Sequence, residues 1–211
     1  MRGIFLTPKL RGLFSKLVYN SIIDLIEDNL SLSNIGARKR KSPRDHLFVT
    51  YSVINEVLKS EDVVEIDCVF YDVTQAYDSL WMEHSLLDLF ESGVKTNVIN
   101  ILHELNKKAH IQIKTPVGVT DQKEINDIIM QGENISSIVC TTTIDKVSRD
   151  CKLKEFENKD KVKIPKLAFV DDMLDITKCG TATKEMNEYT TDALNKTVTE
   201  QGQMREDVCC E

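Results

Sequence analysis

Acidic residues stand at the ends of apolar runs in two distant parts of the sequence. Asp72 follows the β-rich run Val63–Tyr71, and Asp171 and Asp172 separate two short apolar runs. Carboxylates gathered at a sheet edge repel one another unless a cation bridges them. Such an arrangement suits nucleotidyl transfer by two metal ions about 4 Å apart, with Mg²⁺ or Mn²⁺ on oxygen ligands. Taken alone, Asp171-Asp172 would be interpreted as an ordinary acidic turn.

Helices and strands around these acids are predicted from the spacing of apolar residues. Recurrence at i, i+4 and i+7 indicates a helix, whereas β-rich runs between turn residues indicate strands. The predicted helices are 8–29, one with its stripe at Leu47, Tyr51, Ile54 and Leu58, 76–92 with Leu80, Leu86, Leu87 and Phe90 inward, 98–105, 135–147 and 181–199. The predicted strands are 63–71, 110–114, 125–130, and a hairpin of 167–170 and 173–176.

This order of elements predicts an α+β protein. We expect a mostly antiparallel sheet with helices on one face, the split βαβ or ferredoxin-like arrangement in which polymerase palms are built. A chain of 211 residues is long enough for one such domain with a sizeable core.

Charge is distributed unevenly along the chain. Residues 1–45 contain 9 Lys and Arg against 4 Asp and Glu, and the remainder contains 18 against 30, which gives the net charge of −7. The basic part suits phosphate contacts, whereas the acidic part would repel nucleic acid unless some carboxylates hold cations. Residues 1–23 are interpreted as part of an amphipathic helix, with a mitochondrial transit peptide as the alternative.

Cysteine usage and hydropathy indicate the compartment. No apolar run approaches the roughly 18 to 20 residues of a membrane span, so no membrane partner is expected. The six cysteines include no C-x-x-C pair, and Cys209-Cys210 lack further ligands at zinc spacing. We therefore expect a reducing compartment, the cytoplasm or the nucleus.

Several motifs resemble those of reverse transcriptases of non-LTR, LINE-type retrotransposons. The segment 70–81, FYDVTQAYDSLW, looks like their first palm motif, an acid-ended strand followed by A-[FY]-D. Gln131-Gly132 followed by Ser136 is similar to their second motif, and Phe169-Val170-Asp171-Asp172 matches their F-x-D-D hairpin. Arg2-Gly3-Ile4 resembles a fingers motif, and the basic stretch 35–45 resembles the segment leading into the palm helix.

The resemblance implies RNA-directed DNA polymerisation. Asp72 and Asp171 would be ligands of two Mg²⁺ or Mn²⁺ ions, with Asp172 as an auxiliary ligand or structural acid. The partners would be an RNA template, a DNA primer and deoxynucleoside triphosphates. Residues 1–62 would form partial fingers and palm-entry helices, and 63–200 the palm. Residues 201–211 show no packing pattern and are expected to form an unstructured tail. Thumb and endonuclease domains are not recognised, which suggests a fragment of a retrotransposon polyprotein.

The resemblance also implies residues that bind the nucleotide. Val73 would face the triphosphate through its backbone amide. Tyr77 would be the steric gate that excludes a 2′-hydroxyl, with a half-buried core aromatic as the alternative. Gln131 and Gly132 would contact the incoming nucleotide and the template. Phosphate contacts would come from Arg2 and Arg38.

Two departures from the family and two other hypotheses accompany this prediction. Glu133 stands where the family usually has an uncharged residue and is expected to repel nucleic acid, and no lysine-bearing motif is recognisable between Gly202 and Glu211.

One alternative is a catalytically silent or domesticated palm that binds nucleic acid or protein. The other is an enzyme of unrelated fold with a receiver-type acidic pocket, although there the acid pair should follow the first strand.

Overall fold

A four-stranded antiparallel sheet lies at the centre of the protein, seen here in a computed structural model. The structure describes residues 6–59, 66–73, 76–126, 129–150, 156–157, 163–164, 166–178, 188–193 and 204–209. The helices are α1 (Lys9–Asn29), α2 (Pro43–Leu58), α3 (Ala76–Ser79), α4 (Met82–Glu91), α5 (Thr96–Lys107) and α6 (Asn134–Asp150). The strands are β1 (Ile66–Val73), β2 (Lys108–Ile111), β3 (Lys114–Thr115), β4 (Gly118–Val119), β5 (Lys123–Asn126), β6 (Phe156–Glu157), β7 (Lys163–Ile164), β8 (Leu167–Phe169), β9 (Asp172–Lys178) and β10 (Met204–Cys209).

The central sheet has the strand order β10-β1-β9-β8, and each neighbouring pair is antiparallel. Along β1 the side chains alternate, so that Val69, Tyr71 and Val73 are buried on one face. Helices α1, α4 and α6 contribute to the core on that face. The predicted α+β class is confirmed, because one antiparallel sheet carries this helical layer.

Helix α2 packs on the opposite face of the sheet, so helices are not confined to one face. Val53 of α2 and Ile176 of β9 are buried together, with Cys68 and Leu174 packed around them. The predicted stripe of α2 is wrong at Leu47 and Tyr51, which are 68% and 69% exposed. The stripe that touches the sheet runs through Val49 and Val53 instead, because a 16-residue helix with apolar residues on several sides can present more than one face.

The predicted helix 76–92 is divided into α3 and α4 by a break at Leu80 and Trp81. The break resets the helical phase, and the buried stripe of α4 runs through Met82, Leu86 and Leu89. Leu87 and Phe90, predicted to point inward, are therefore about half exposed, at 47% and 50%. Leu80 and Leu86 are buried as predicted.

The later elements agree with the sequence in part. The hairpin of β8 and β9 is confirmed, whereas β2 and β5, which pair with each other, overlap the predicted strands 110–114 and 125–130 by two residues each. Of the predicted helix 181–199, residues 188–193 are helical and the rest lies outside the described residues. The expected unstructured tail over 201–211 is corrected at 204–209, which form β10. This strand pairs along β1, which satisfies backbone groups at that edge. No described helix is long and apolar enough to cross a membrane.

Candidate functional site

Asp72 and Asp172 face each other across the two middle strands of the sheet. In the antiparallel register of β1 and β9 they are direct Cα partners, and both are exposed. Directly opposed residues share one face of a sheet, with Cβ atoms about 5 Å apart, and like charges in that position are unfavourable. The sequence placed Asp72 with Asp171 as the main pair and Asp172 beside them, whereas the register makes Asp172 the cross-strand neighbour.

Asp171 lies in the turn between β8 and β9, next to Val170, and is partly buried. Its charge acts on two groups of the helical layer. Burial raises the pKa of the Tyr77 hydroxyl to about 12, with smaller contributions from Cys140 and Asp171. Burial likewise raises the pKa of the Cys140 thiol to about 12, and the Asp171 carboxylate adds to that shift. The hairpin tip therefore lies beside α3 and α6.

A cavity of about 380 Å³ is lined by residues of α1, α3, α6 and the turn before α6. Tyr77 and Gly132, which are 55 residues apart in the sequence, both line it. Gly132 has φ of 111°, a backbone conformation that side chains with a Cβ rarely adopt. The other lining residues are Tyr19, Glu133, Asn134 and Ser137. The structure thus brings together two of the residues that the resemblance assigned to nucleotide binding.

The remaining predicted residues are placed as follows. Val73 is the last residue of β1, and its side chain is buried in the main core, so only its backbone is available to a ligand. Gln131 is partly buried in the turn before α6, next to Gly132. Arg2 lies outside the described residues.

Arg38 is used within the protein. Its Nε donates to Glu27 Oε2 at 2.8 Å, and its Nη1 donates to the carbonyl oxygens of Ser31 and Asn34 at 2.6 and 2.8 Å. A fourth N–H, on Nη2, donates to the Glu27 carbonyl oxygen, and the side chain is only 7% exposed. A guanidinium has five N–H donors, and four of those of Arg38 already bond within the protein. This geometry does not favour the predicted phosphate contact.

Glu133 is buried and paired, which the sequence did not predict. Its side chain is 2% exposed and forms an ion pair with Nε of Arg11 from α1. Arg11 also donates to the Leu105 carbonyl oxygen at 2.8 Å and to Asn106 Oδ1 at 3.0 Å. The expectation that Glu133 repels nucleic acid is therefore wrong, because a guanidinium neutralises the carboxylate inside the protein.

Arg11 and Tyr19 are the site residues that sequence reasoning missed. They lie on α1, more than 100 residues before the Gly132 turn, and one contacts Glu133 while the other lines the cavity. The only sequence signal was that Arg11 is a charged residue within an otherwise apolar helix face. Its partner is too distant in sequence to be recognised by spacing.

The carboxylates fit a divalent cation whose remaining coordination positions are filled by substrate phosphates and water. Among the described residues, no three His, Cys, Asp or Glu side chains form a ready metal-binding group. The opposed Asp72 and Asp172 nevertheless supply oxygen donors on one exposed sheet face. Mg²⁺ is commonly held by one or two carboxylates together with substrate phosphates and water, and this donor set matches that pattern.

Comparisons with known proteins identify the fold. No family model and no curated protein matches the sequence. Telomerase from Candida tropicalis, solved with a TWJ fragment of telomeric RNA, matches with a TM-score of 0.61 and 14% identity, over 94% of this chain and 34% of that chain. The chain has a reverse-transcriptase-like fold.

Further telomerase structures agree with this reverse-transcriptase-like fold. Telomerase from Candida albicans, also with a TWJ fragment of telomeric RNA, has a TM-score of 0.58 and 13% identity, over 94% of this chain and 34% of that chain. A Candida tropicalis telomerase truncated from its C-terminal domain has a TM-score of 0.56 and 17% identity, over 93% of this chain and 40% of that chain. The chain spans about a third of the length of these telomerases. The predicted palm-like fold is confirmed.

Proposed function

We propose that this chain is the palm, with part of the fingers, of an RNA-directed DNA polymerase. One observation carries the proposal: in a reverse-transcriptase-like fold, Asp72 and Asp172 are cross-strand partners beside the turn that bears Asp171. The partners would be an RNA template, a DNA primer and deoxynucleoside triphosphates. The telomerases of similar fold were solved with RNA, which supports a nucleic-acid partner. The motif sequences support an origin in a non-LTR, LINE-type retrotransposon.

The proposed reaction joins the primer to the nucleotide. The primer 3′-hydroxyl loses its proton to water and its oxygen bonds to the α-phosphorus. The bond from that phosphorus to the bridging oxygen breaks, and pyrophosphate leaves. Two Mg²⁺ or Mn²⁺ ions, when bound, lower the pKa of the 3′-hydroxyl and offset the charge of the triphosphate. Asp72, Asp171 and Asp172 would hold these ions, and the backbone amide of Val73 would face the triphosphate.

The cavity lined by Tyr77 and Gly132 is proposed to receive the nucleotide sugar and base. The Tyr77 ring lies at its wall, packed against the main core, so its position is fixed by neighbouring side chains. Gly132 lines the same cavity and lets the backbone approach a base, because it has no Cβ. Tyr19 adds a second ring from α1 to this wall.

Primer extension with Mn²⁺ on an RNA template tests the proposal. Asp72→Asn and Asp172→Asn should each reduce the extension rate about 100-fold or more, as expected for loss of an electrostatic catalytic group. Asp121→Asn, which removes an acid from an exposed loop, is the matched control and should leave the rate unchanged. Activity that is insensitive to both site variants would contradict the proposal, and binding of RNA without extension would favour the catalytically silent palm.

A further inference from the structure

The loop between α1 and α2 runs along the edge of the β8–β9 hairpin. The Ile35 amide donates to the Ala168 carbonyl oxygen at 3.0 Å, and the Ala168 amide donates to the Ser33 carbonyl oxygen at 3.0 Å. Asn34 and Ala168 form a parallel bridge between these bonds. The loop therefore pairs with β8 through a single parallel bridge.

Gly36 follows this bridge and touches the hairpin tip. A Cβ built on Gly36 would lie 2.2 Å from the backbone nitrogen of Val170 and 2.9 Å from its Cα. These atoms belong to the backbone, so a flexible side chain cannot move aside to relieve the overlap. Val170 itself has φ of 58°, a left-handed conformation that is unfavourable for a β-branched residue. The contact thus lies at a strained residue immediately before Asp171.

The loop is held in place from its other side. Asn34 is fully buried, its Nδ2 donates to the Thr141 carbonyl oxygen at 3.1 Å, and its Oδ1 accepts the Gly36 amide at 3.1 Å. Arg38 donates to the carbonyl oxygens of Ser31 and Asn34 and pairs with Glu27. Bonds to α6 and α1 therefore fix the loop, and the loop in turn contacts the hairpin.

We infer that the loop 31–38 positions the hairpin tip that carries Asp171 and Asp172. Gly36 acts as a positioning residue because its missing Cβ allows the Val170 backbone to lie against the loop. Arg38 acts as a second positioning residue by donating to the carbonyl oxygens of Ser31 and of the bridge residue Asn34. The inference rests on the proposed function for its catalytic consequence, but the placement of the tip can be measured separately.

Amide hydrogen exchange of residues 167–176 in the full chain tests the placement, and Mn²⁺ binding tests its consequence. Gly36→Ala should accelerate exchange in this segment on the order of 10-fold or more and weaken Mn²⁺ binding by a similar factor, since overpacking commonly shifts an equilibrium by a decade. Gly12→Ala is the matched control, because a Cβ there would meet only the Thr7 side chain, at 3.7 Å. It should change neither measurement.

Two further variants separate positioning from general loss of stability. Leu102→Ala removes a buried side chain from α5 and should destabilise the protein without a selective effect on residues 167–176. Arg38→Lys keeps a positive charge but not the fork of donors, and should accelerate exchange in 167–176 less than Gly36→Ala does. If Gly36→Ala does not fold, Arg38→Lys decides the matter by the same measurement.

The outcomes distinguish the inference from the proposed function. Unchanged exchange at 167–176 in folded Gly36→Ala and Arg38→Lys, or an equal rise in Leu102→Ala, would overturn the positioning role. Absence of Mn²⁺ binding by the unmodified chain would overturn the metal site. The comparison of amide hydrogen exchange at 167–176 would still test the positioning role of the loop.

Discussion

Tyr77 combines a fixed ring with a neutral hydroxyl. Its ring packs against the main core and lines the cavity, and burial keeps the pKa of the hydroxyl at about 12. The hydroxyl is therefore protonated at physiological pH and carries no charge toward a phosphate. Any discrimination by Tyr77 against ribonucleotides therefore depends on the space that the ring occupies.

Replacement of Tyr77 tests that role. Tyr77→Val should reduce discrimination against ribonucleotides by about 10- to 100-fold, the range expected for losing steric rejection of one small group. Tyr77→Phe keeps the ring and should keep the discrimination. The measurement is the ratio of kcat/KM for a deoxynucleotide and its ribonucleotide in primer extension. An unchanged ratio in an active Tyr77→Val enzyme would refute the steric gate.

Residue types indicated the chemistry of the site, whereas pairings required the structure. The acids Asp72, Asp171 and Asp172 could be selected from the sequence because each follows or interrupts an apolar run. The sequence could not show that Asp172 is the direct partner of Asp72, because a shift of one residue in register changes the partner. The interactions of Arg38 and Glu133 were missed because their exposure depends on the tertiary fold.

At the scale of elements, Arg11 links α1 to the turn before α6. Its guanidinium pairs with the buried Glu133 and also bonds to the end of α5, through Leu105 and Asn106. Three segments therefore meet at one side chain, and two of them, α1 and the turn before α6, line the cavity. A buried carboxylate without this partner would bear an uncompensated charge.

Removing Arg11 should destabilise the protein strongly. Arg11→Met leaves the buried Glu133 carboxyl group without its ion-pair partner, and should lower the free energy of unfolding by about 3 kcal/mol, measured by urea denaturation. The double variant Arg11→Met with Glu133→Leu should recover much of this loss, because it removes both charges. A double variant as unstable as Arg11→Met would contradict this account.

Arg149 provides a control for that comparison. It pairs with the buried Asp145 but is itself 48% exposed, and Asp145 also accepts bonds from the Ser31 amide and hydroxyl. Arg149→Met should therefore lower the free energy of unfolding by only about 0 to 1 kcal/mol. An equal effect of the two arginine variants would show that neither the exposure of Arg149 nor the Ser31 hydrogen bonds to Asp145 lower the cost of removing the arginine.

Over the whole molecule, the basic stretch that directly follows Arg38 is exposed to solvent, although Arg38 itself is not. Lys39, Arg40 and Lys41 follow it and are all exposed. With a net charge of −7, the protein as a whole does not attract nucleic acid. Under the proposed function, a local basic surface must therefore contribute the phosphate contacts.

Replacing Lys39, Arg40 and Lys41 together by Ala should weaken RNA binding. The slope of log K against log salt should become less steep by about 2, since each lost single-strand phosphate contact contributes about 0.7. Replacement of Lys95, Lys107 and Lys114 by Ala removes the same charge from exposed positions elsewhere. Equal slopes for the two triple variants, measured by salt titration of RNA affinity, would contradict a local phosphate surface.

The overall architecture was more predictable than its details. The periodic spacing of apolar residues and the hairpin pattern around Asp171-Asp172 were sufficient to predict the α+β class and most of the helices and strands. The break at Leu80 and Trp81 was missed because both residues are compatible with a helix. β10 was missed because Met204–Cys209 contains three charged residues and no alternation, so that its pairing with β1 depends on an available edge rather than on hydrophobicity.

The pairing of β1 constrains the order in which the sheet can form during synthesis. Its residues 66–73 bond to β9 on one side and to β10 on the other, and both partners come at least 99 residues later in the chain. Contacts of such long sequence separation form slowly, because the loop must close before they stabilise the fold. On the ribosome, β1 must remain without these partners while most of the chain is made. Its unpaired backbone edge and its apolar side chains would then be open to other chains, which predicts folding that benefits from a chaperone.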